Sequence, residues 1–142
     1  RAFDIPHDAA APVGYIIQGT SRCVVATDIG NVDDRLQQML EGAQVLVLEA
    51  NHDEEMLKQG SYPYNLKQRI LGPLGHLSNR RMAQVVAELR RRPQKLILAH
   101  LSESNNRPEL AMDTVKSVLD SYGINNMEIY MTAQNHSTSV DF

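Results

Sequence analysis

The sequence predicts a single α/β domain, a mixed sheet with flanking helices, and three observations carry that prediction. First, Cys23-Val24-Val25-Ala26-Thr27, Val45-Leu46-Val47-Leu48 and Leu96-Ile97-Leu98-Ala99 are short apolar runs of the kind that form buried strands. Second, segments with helical apolar spacing lie between them, as in strand–helix–strand crossovers, so the sheet is expected to be partly parallel. Third, each run stops at residues capable of chemistry: Asp28-Ile29-Gly30, Glu49-Ala50-Asn51-His52-Asp53 and His100-Leu101-Ser102. Ligands and catalytic groups of open α/β sheets gather at the carboxyl ends of the strands. Three such ends carrying Asp, Glu and two His predict an active site, and predict metal.

The elements follow in order. Residues 1–5 read as a strand ending at Pro6-His7-Asp8, and residues 13–18 and 22–27 as a hairpin turned by Gly19-Thr20-Ser21. Asn31 is placed to cap a helix over 32–41, where Val32, Leu36, Met39 and Leu40 share one face and Gly42 ends the run. The strand at 45–49 comes next. Residues 53–75 read as short helical pieces broken by Gly60, Pro63, Gly72, Pro73 and Gly75. Ser78 then reads as an N-cap, with Met82, Val85, Val86 and Leu89 as the apolar stripe and Pro93 as the stop. After the strand at 95–99, Pro108 suits a first helical turn, and Ala111, Val115, Val118, Leu119 and Tyr122 line one face before Gly123. A last strand is expected over 127–132, and the tail from Thr132 to Phe142 has no clear period.

A chain of 142 residues can bury a core without disulfides. Its single cysteine, Cys23, has no internal partner and fits a reducing cytoplasm. No run approaches the ~18 apolar residues of a membrane span. The first residues, Arg1-Ala2-Phe3-Asp4, lack the pattern of a secretory signal. They are not preceded by Met and read at once as a strand leading to a site, as though the chain begins in the middle of a fold. A net charge of −3 does not mark a nucleic-acid binder, yet Lys67, Arg69, Arg80, Arg81, Arg90, Arg91 and Arg92 cluster in one stretch. That cluster reads either as a solvated helical face or as a patch that steers a phosphate backbone.

Several residues are candidates for chemistry, each with a plainer alternative. His7 beside Asp8 reads as a metal ligand oriented by a carboxylate, or as a surface histidine. Asp28 reads as a carboxylate holding or bridging metal, or as a turn residue with Gly30. An aspartate that accepts a phosphoryl group, as in a receiver domain, would want an acidic pair near the first strand and a lysine after the last core strand, and neither is present. Glu49, Asn51, His52 and Asp53 would support ligands from behind, touch substrate, or cap a helix. His76 and His100 share a pattern, Gly75-His76-Leu77-Ser78-Asn79 and Ala99-His100-Leu101-Ser102, each just ahead of a helix start. Helix starts bind anions through free amides, and a histidine there can protonate a leaving oxygen; the alternative is capping or packing. Asn105-Asn106-Arg107 would cap the next helix or hold a phosphate. His136 reads as surface. No G-x-G-x-x-G, P-loop or G-x-S-x-G occurs, which argues against dinucleotide-binding folds and serine hydrolases.

These residues resemble a known family. Phe3-Asp4-Ile5-Pro6-His7-Asp8-Ala9, Pro12-Val13-Gly14-Tyr15 and Thr27-Asp28-Ile29-Gly30 are similar to the later half of metallo-β-lactamase-fold hydrolases. Glu49-Ala50-Asn51-His52-Asp53, the Tyr62-to-Ile70 segment, Gly75-His76-Leu77-Ser78-Asn79 and Ala99 to Asn106 resemble the YycJ/WalJ group of bacterial nucleases, relatives of ribonuclease Z. The resemblance implies half of an αββα sandwich with a dinuclear centre of two divalent ions, zinc or manganese. It implies His7, Asp28 and His100 as metal ligands, with Asp28 bridging, and His76 as the group that assists proton transfer. It places Ser78, Asn79, Ser102, Asn105 and Asn106 near the scissile phosphate, with Glu49, Asn51 and His52 behind the ligands or against substrate.

The family's H-x-H-x-D-H run is absent from these residues. Residues 1–142 are therefore expected to be one domain, the C-terminal half of the fold, binding metal weakly and inactive alone. The missing half would leave a sheet face exposed, to be covered by that half or by self-association. The implied function is a metal-dependent phosphodiester hydrolase, a DNA exonuclease working by metal-activated water. The alternatives are a non-catalytic domain of the same fold that binds nucleic acid or a partner, and a metallo-hydrolase for lactones or thioesters.

Overall fold

A computed structural model describes residues 1–134 and 136–141. Asn135 and Phe142, both in the tail expected to be irregular, lie outside the described residues. The elements are β1 (Ala2–Asp4), β2 (Val13–Gln18), β3 (Arg22–Ala26), α1 (Asp34–Leu40), β4 (Val45–Glu49), α2 (Glu54–Gln59), α3 (Tyr64–Leu71), α4 (Asn79–Glu88), β5 (Lys95–Ala99), α5 (Pro108–Ser121) and β6 (Glu128–Met131).

All six strands form one mixed sheet in which spatial order equals sequence order. The first three strands pair antiparallel, and β3 through β6 pair parallel. Each parallel connection steps one strand in the same direction. Right-handed crossovers that all step the same way put their helices on the same face. The core agrees: Val24, Ala26, Leu46, Leu48, Leu96 and Leu98 of the sheet join Leu36 and Leu40 of α1, Met82 and Val86 of α4, and Val115 and Leu119 of α5 in one cluster.

Strand side chains alternate between faces, so the residues between those core positions point the other way. On that face the register aligns Tyr15, Val25, Val47, Ile97 and Tyr130 across five strands. It is an apolar row, and at its β2 end Val13, Tyr15 and Ile17 are exposed. Further along the row Val25, Val47, Ile97 and Tyr130 are half-buried.

Local chemistry explains most element ends. Ser78 caps α4 as expected, its hydroxyl accepting from the Arg81 amide. Helix α1 differs from expectation. It begins at Asp34, because Asp33 rather than Asn31 accepts the Leu36 amide. Both residues favour caps, and the one with its carboxylate three residues before a free amide prevails. Pro108 opens α5, and Gly123, at φ +73, supplies the left-handed residue after its end. His136 is exposed.

Close backbone packing fixes the loop that will matter for the site. A Cβ added at Gly30 would collide with the backbone of Pro73 and Gly75. Neither neighbour is a flexible side chain that can give way. Gly30→Ala is expected to cost about 1–3 kcal/mol, as overpacking does. Urea unfolding of the variant checks this; an unchanged midpoint would contradict the close approach.

Candidate metal centre

The carboxyl ends of β3, β4 and β5 deliver Asp28, Glu49 and His100 side by side, because parallel neighbours end at the same level. His7 arrives from the loop after β1, and His76 from the loop before α4. Among the described residues only Asp28 and His100 combine a side chain with positive φ, 60° and 57°. A left-handed backbone strains any residue with a Cβ, and such strain concentrates at functional positions.

Glu49 lies at the bottom of this group and is fully buried. Its Oε1 accepts from Nδ1 of His76 at 2.6 Å and from Nδ1 of His100 at 2.8 Å. Its Oε2 accepts the Ile29 amide at 2.7 Å. Burial alone would raise its pKa, but the hydrogen bonds from His100 and His76 outweigh burial and leave it lowered. His100 shifts the other way, upward, chiefly through its hydrogen bond to Glu49.

The remaining groups are oriented by the backbone or by each other. Nδ1 of His7 meets the Gly75 carbonyl at 3.2 Å. A carbonyl only accepts, so Nδ1 carries the proton and the Nε2 lone pair is free. Thr27 donates its hydroxyl to Oδ2 of Asp28, leaving Oδ1 for the centre. That Oδ1 stands 3.8 Å from Nε2 of His7, 3.9 Å from Nδ1 of His76 and 3.6 Å from Nδ1 of His100. These separations are too long for hydrogen bonds. The separation from His7 approaches the ~3.4 Å between two ligands each ~2.1 Å from a tetrahedral ion; Nδ1 of His76 and of His100 is held by Glu49, so those rings would offer Nε2.

The donor set therefore fits a divalent cation. Ligand atoms of Asp28, Glu49, His76 and His100 all lie within 4.8 Å of one another. Nitrogen and carboxylate donors suit zinc or manganese alike. Within the described residues, the ionic partners of buried Glu49 are two imidazoles, with no lysine or arginine beside it.

An open cleft of about 350 Å³ lies over the centre. His7, Asn51, His76, His100 and Ser102 line its polar side. The other expected site residues fall elsewhere. Ser78 caps α4 and donates to Glu54. Asn79 and Asn106 are buried and exchange amide hydrogen bonds, and Asn106 also reaches the carbonyls of Ala50 and Asn51. The Asn105 amide donates to Ser102. These residues brace the loops that carry Asn51, His76 and His100. His52 is buried with neither ring nitrogen hydrogen-bonded, and burial pushes its pKa down.

Sequence reasoning missed the central place of Glu49 and the second wall of the cleft. Alternation along β4, with Val45 and Val47 on the face opposite the helices, was the signal that Glu49 turns towards neither α4 nor α5. The wall, Tyr62, Leu66, Ile70 and Leu74, comes from a segment without clear period.

The two shifts predict a pH dependence for the metal-free chain. A lowered carboxylate adds stability above its unfolded value, 4.5, and loses it as pH falls through the folded value. A raised imidazole adds stability below its unfolded value, 6.5, and loses it as pH rises through the folded value. The Glu49–His100 interaction is thus fully present between 4.5 and 6.5. His100→Ala should lower the thermal midpoint more at about pH 5.5 than at about pH 9. Melting curves at both values check it, and equal losses would refute the pairing.

Comparison with known proteins agrees with the geometry. A family model described as a beta-lactamase superfamily domain matches residues 1–101. The chain is 42% identical over 125 residues to exodeoxyribonuclease YycJ of Bacillus anthracis, covering 87% of this chain and 47% of that protein. It is 44% identical over 121 residues to exodeoxyribonuclease WalJ of Streptococcus pneumoniae serotype 2, covering 84% and 45%. The chain spans about half the length of the curated relatives it matches. Among solved structures, the metallo-beta-lactamase fold protein YhfI from Bacillus subtilis superposes with a TM-score of 0.66 at 17% identity, covering 92% of this chain and 45% of that one. Zinc-bound PqqB from Methylobacterium extorquens gives 0.60 at 16% identity, covering 92% and 43%. These two likenesses show the fold.

Proposed function

Because the chain belongs to the beta-lactamase superfamily, we propose that it supplies one wall of the active site of a metal-dependent phosphodiester hydrolase, an exonuclease acting on DNA. The observation that carries this reading is the convergence of His7, Asp28, His76 and His100 around buried Glu49. The likeness to two exodeoxyribonucleases supports the substrate class.

His7, Asp28 and His100 would hold divalent ions, zinc or manganese, with Asp28 shared between two. Such ions supply Lewis acidity towards water and phosphate. The chain's own residues do the rest. The Gly75 carbonyl aims His7, and Thr27 aims Asp28. His76, with Nδ1 held by Glu49, offers Nε2 as the acid that protonates the leaving oxygen. Glu49 balances the charge on His76 as its proton moves. Asn51 donates to the His100 carbonyl and fixes the strained turn there, while the Ser102 hydroxyl lines the cleft where phosphate would lie.

Three ligands for two ions fall short of a full coordination set. The missing donors, and the cover for the apolar row through Val25, Val47 and Ile97, are assigned to a preceding half domain, with self-association as the other way to cover that face. Cytoplasmic residence is part of the same proposal, supported by the free, buried Cys23; no helix of the described residues is long and apolar enough to cross a membrane.

The test compares residues 1–142 alone with the same residues joined to the segment encoded upstream. The joined protein should degrade DNA from an end when zinc or manganese is added, and the short chain should not. His76→Ala in the joined protein should lower kcat by about 10²–10⁴ at saturating metal. Absence of metal-dependent hydrolysis in the joined protein would refute the reading.

A further inference from the structure

The cleft is chemically two-sided. One side is the imidazole and carboxylate centre. Facing it are Tyr62, Leu66, Ile70 and Leu74, from helix α3 and the segments on either side of it. Helix α3 buries none of its residues, so this wall is not part of the core. Leu74, at its rim, is 50% exposed.

The wall is also tied to the centre. Ile70 accepts the backbone amide of His76 at 2.9 Å, and Arg69 is paired with Asp8, the neighbour of His7. These contacts hold α3 in fixed register with two of the candidate site histidines. The Arg69 guanidinium, which also lines the cleft, turns its Nε to Asp8.

Resting on the phosphodiesterase reading, we propose that this wall is a base-binding subsite. The terminal nucleotide places its phosphate at the centre and lays its unpaired base against Tyr62 and the Leu66–Ile70 side of α3. Charge complementarity selects the occupant. A cation-binding centre takes the anionic phosphate, and the uncharged, flat part of the same molecule meets the apolar wall. Stacking on an aromatic ring tolerates every base, since each has a π face. The substrate is then a single-stranded or frayed DNA end, read without sequence preference. A cleft of about 350 Å³ is at the small end of ligand sites and has room for a nucleotide.

The experiment uses the full-length protein that carries this chain, loaded with manganese. Single-stranded oligonucleotides are compared that end in a normal or in an abasic nucleotide, and a third carries 2-aminopurine at the end as a fluorescent base. The wild type should prefer the normal end, and 2-aminopurine fluorescence should be quenched on binding. Tyr62→Ala should raise KM for the normal end about 5- to 100-fold, leave the abasic end unchanged and abolish quenching, whereas Tyr62→Phe should behave as wild type. Equal hydrolysis of normal and abasic ends by the wild type overturns the base subsite while leaving the phosphodiesterase reading intact. So does a Tyr62→Ala effect that is the same on both ends. If neither end is hydrolysed with any divalent metal, the parent reading falls and takes the subsite with it.

Discussion

Glu49→Gln should weaken zinc binding about 10- to 100-fold, the usual cost of removing a group that orients metal-binding histidines. The carboxylate accepts from two imidazoles through one oxygen and from the Ile29 amide through the other. A glutamine of the same shape has only one acceptor oxygen. It must leave either the amide or the imidazoles facing its own N–H group. The charge that draws a cation into the cleft is lost as well. Glu49→Ala should go further and cost about 1–3 kcal/mol of stability, because the buried Ile29 amide loses its partner. Calorimetric zinc titration separates the two effects from denaturant unfolding. Zinc affinity of Glu49→Gln within twofold of wild type would show that Glu49 plays no part in the centre.

Asn106→Ala should be the most destabilising of the polar substitutions, at about 3–5 kcal/mol. Its Nδ2 reaches the carbonyls of Ala50 and Asn51 and the Asn79 side chain, at 2.9, 3.0 and 2.8 Å. Its Oδ1 accepts from Asn79 and from the Arg107 amide, both at 2.9 Å. Alanine abandons these groups where water does not reach them, since Asn79 and Asn106 are 1% and 5% exposed. A loss of this size is a large part of the ~5–15 kcal/mol that holds a domain together. Guanidinium unfolding measures it. A loss under 1 kcal/mol would mean that the loops find other partners.

The sheet was legible because its cause is local. A short, β-branched run such as Val45 to Leu48 between turn residues favours a strand, and the helical stripes between such runs leave few topologies. That Asp28 and His100 would stand together was legible for the same reason, since both follow parallel strands. Other features depend on contacts distant in sequence. Asn79 and Asn106 look like surface caps until the loops from β4 and β5 close around them. Glu49 reads as one polar residue among four, and its neighbours His76 and His100 lie 27 and 51 positions away. Tyr62 and Leu74 have no common period because they flank a helix instead of occupying one. The start of α1 was misplaced for a smaller reason: two cap-forming residues stand two positions apart, and only the fold decides between them.

The left-handed backbone at Asp28 and His100 has a consequence for anyone who optimises this protein. Glycine at Asp28 would relieve strain of about 1–3 kcal/mol, whereas at His100 that relief is set against the lost hydrogen bond to buried Glu49. A screen that rewards heat resistance alone would therefore favour replacing Asp28, a residue assigned to hold metal. Its winners would be sturdier and inert, and the position would look like a defect repaired. Libraries built on this scaffold should hold both residues fixed and seek their gains on the helical face, where stability and chemistry do not compete.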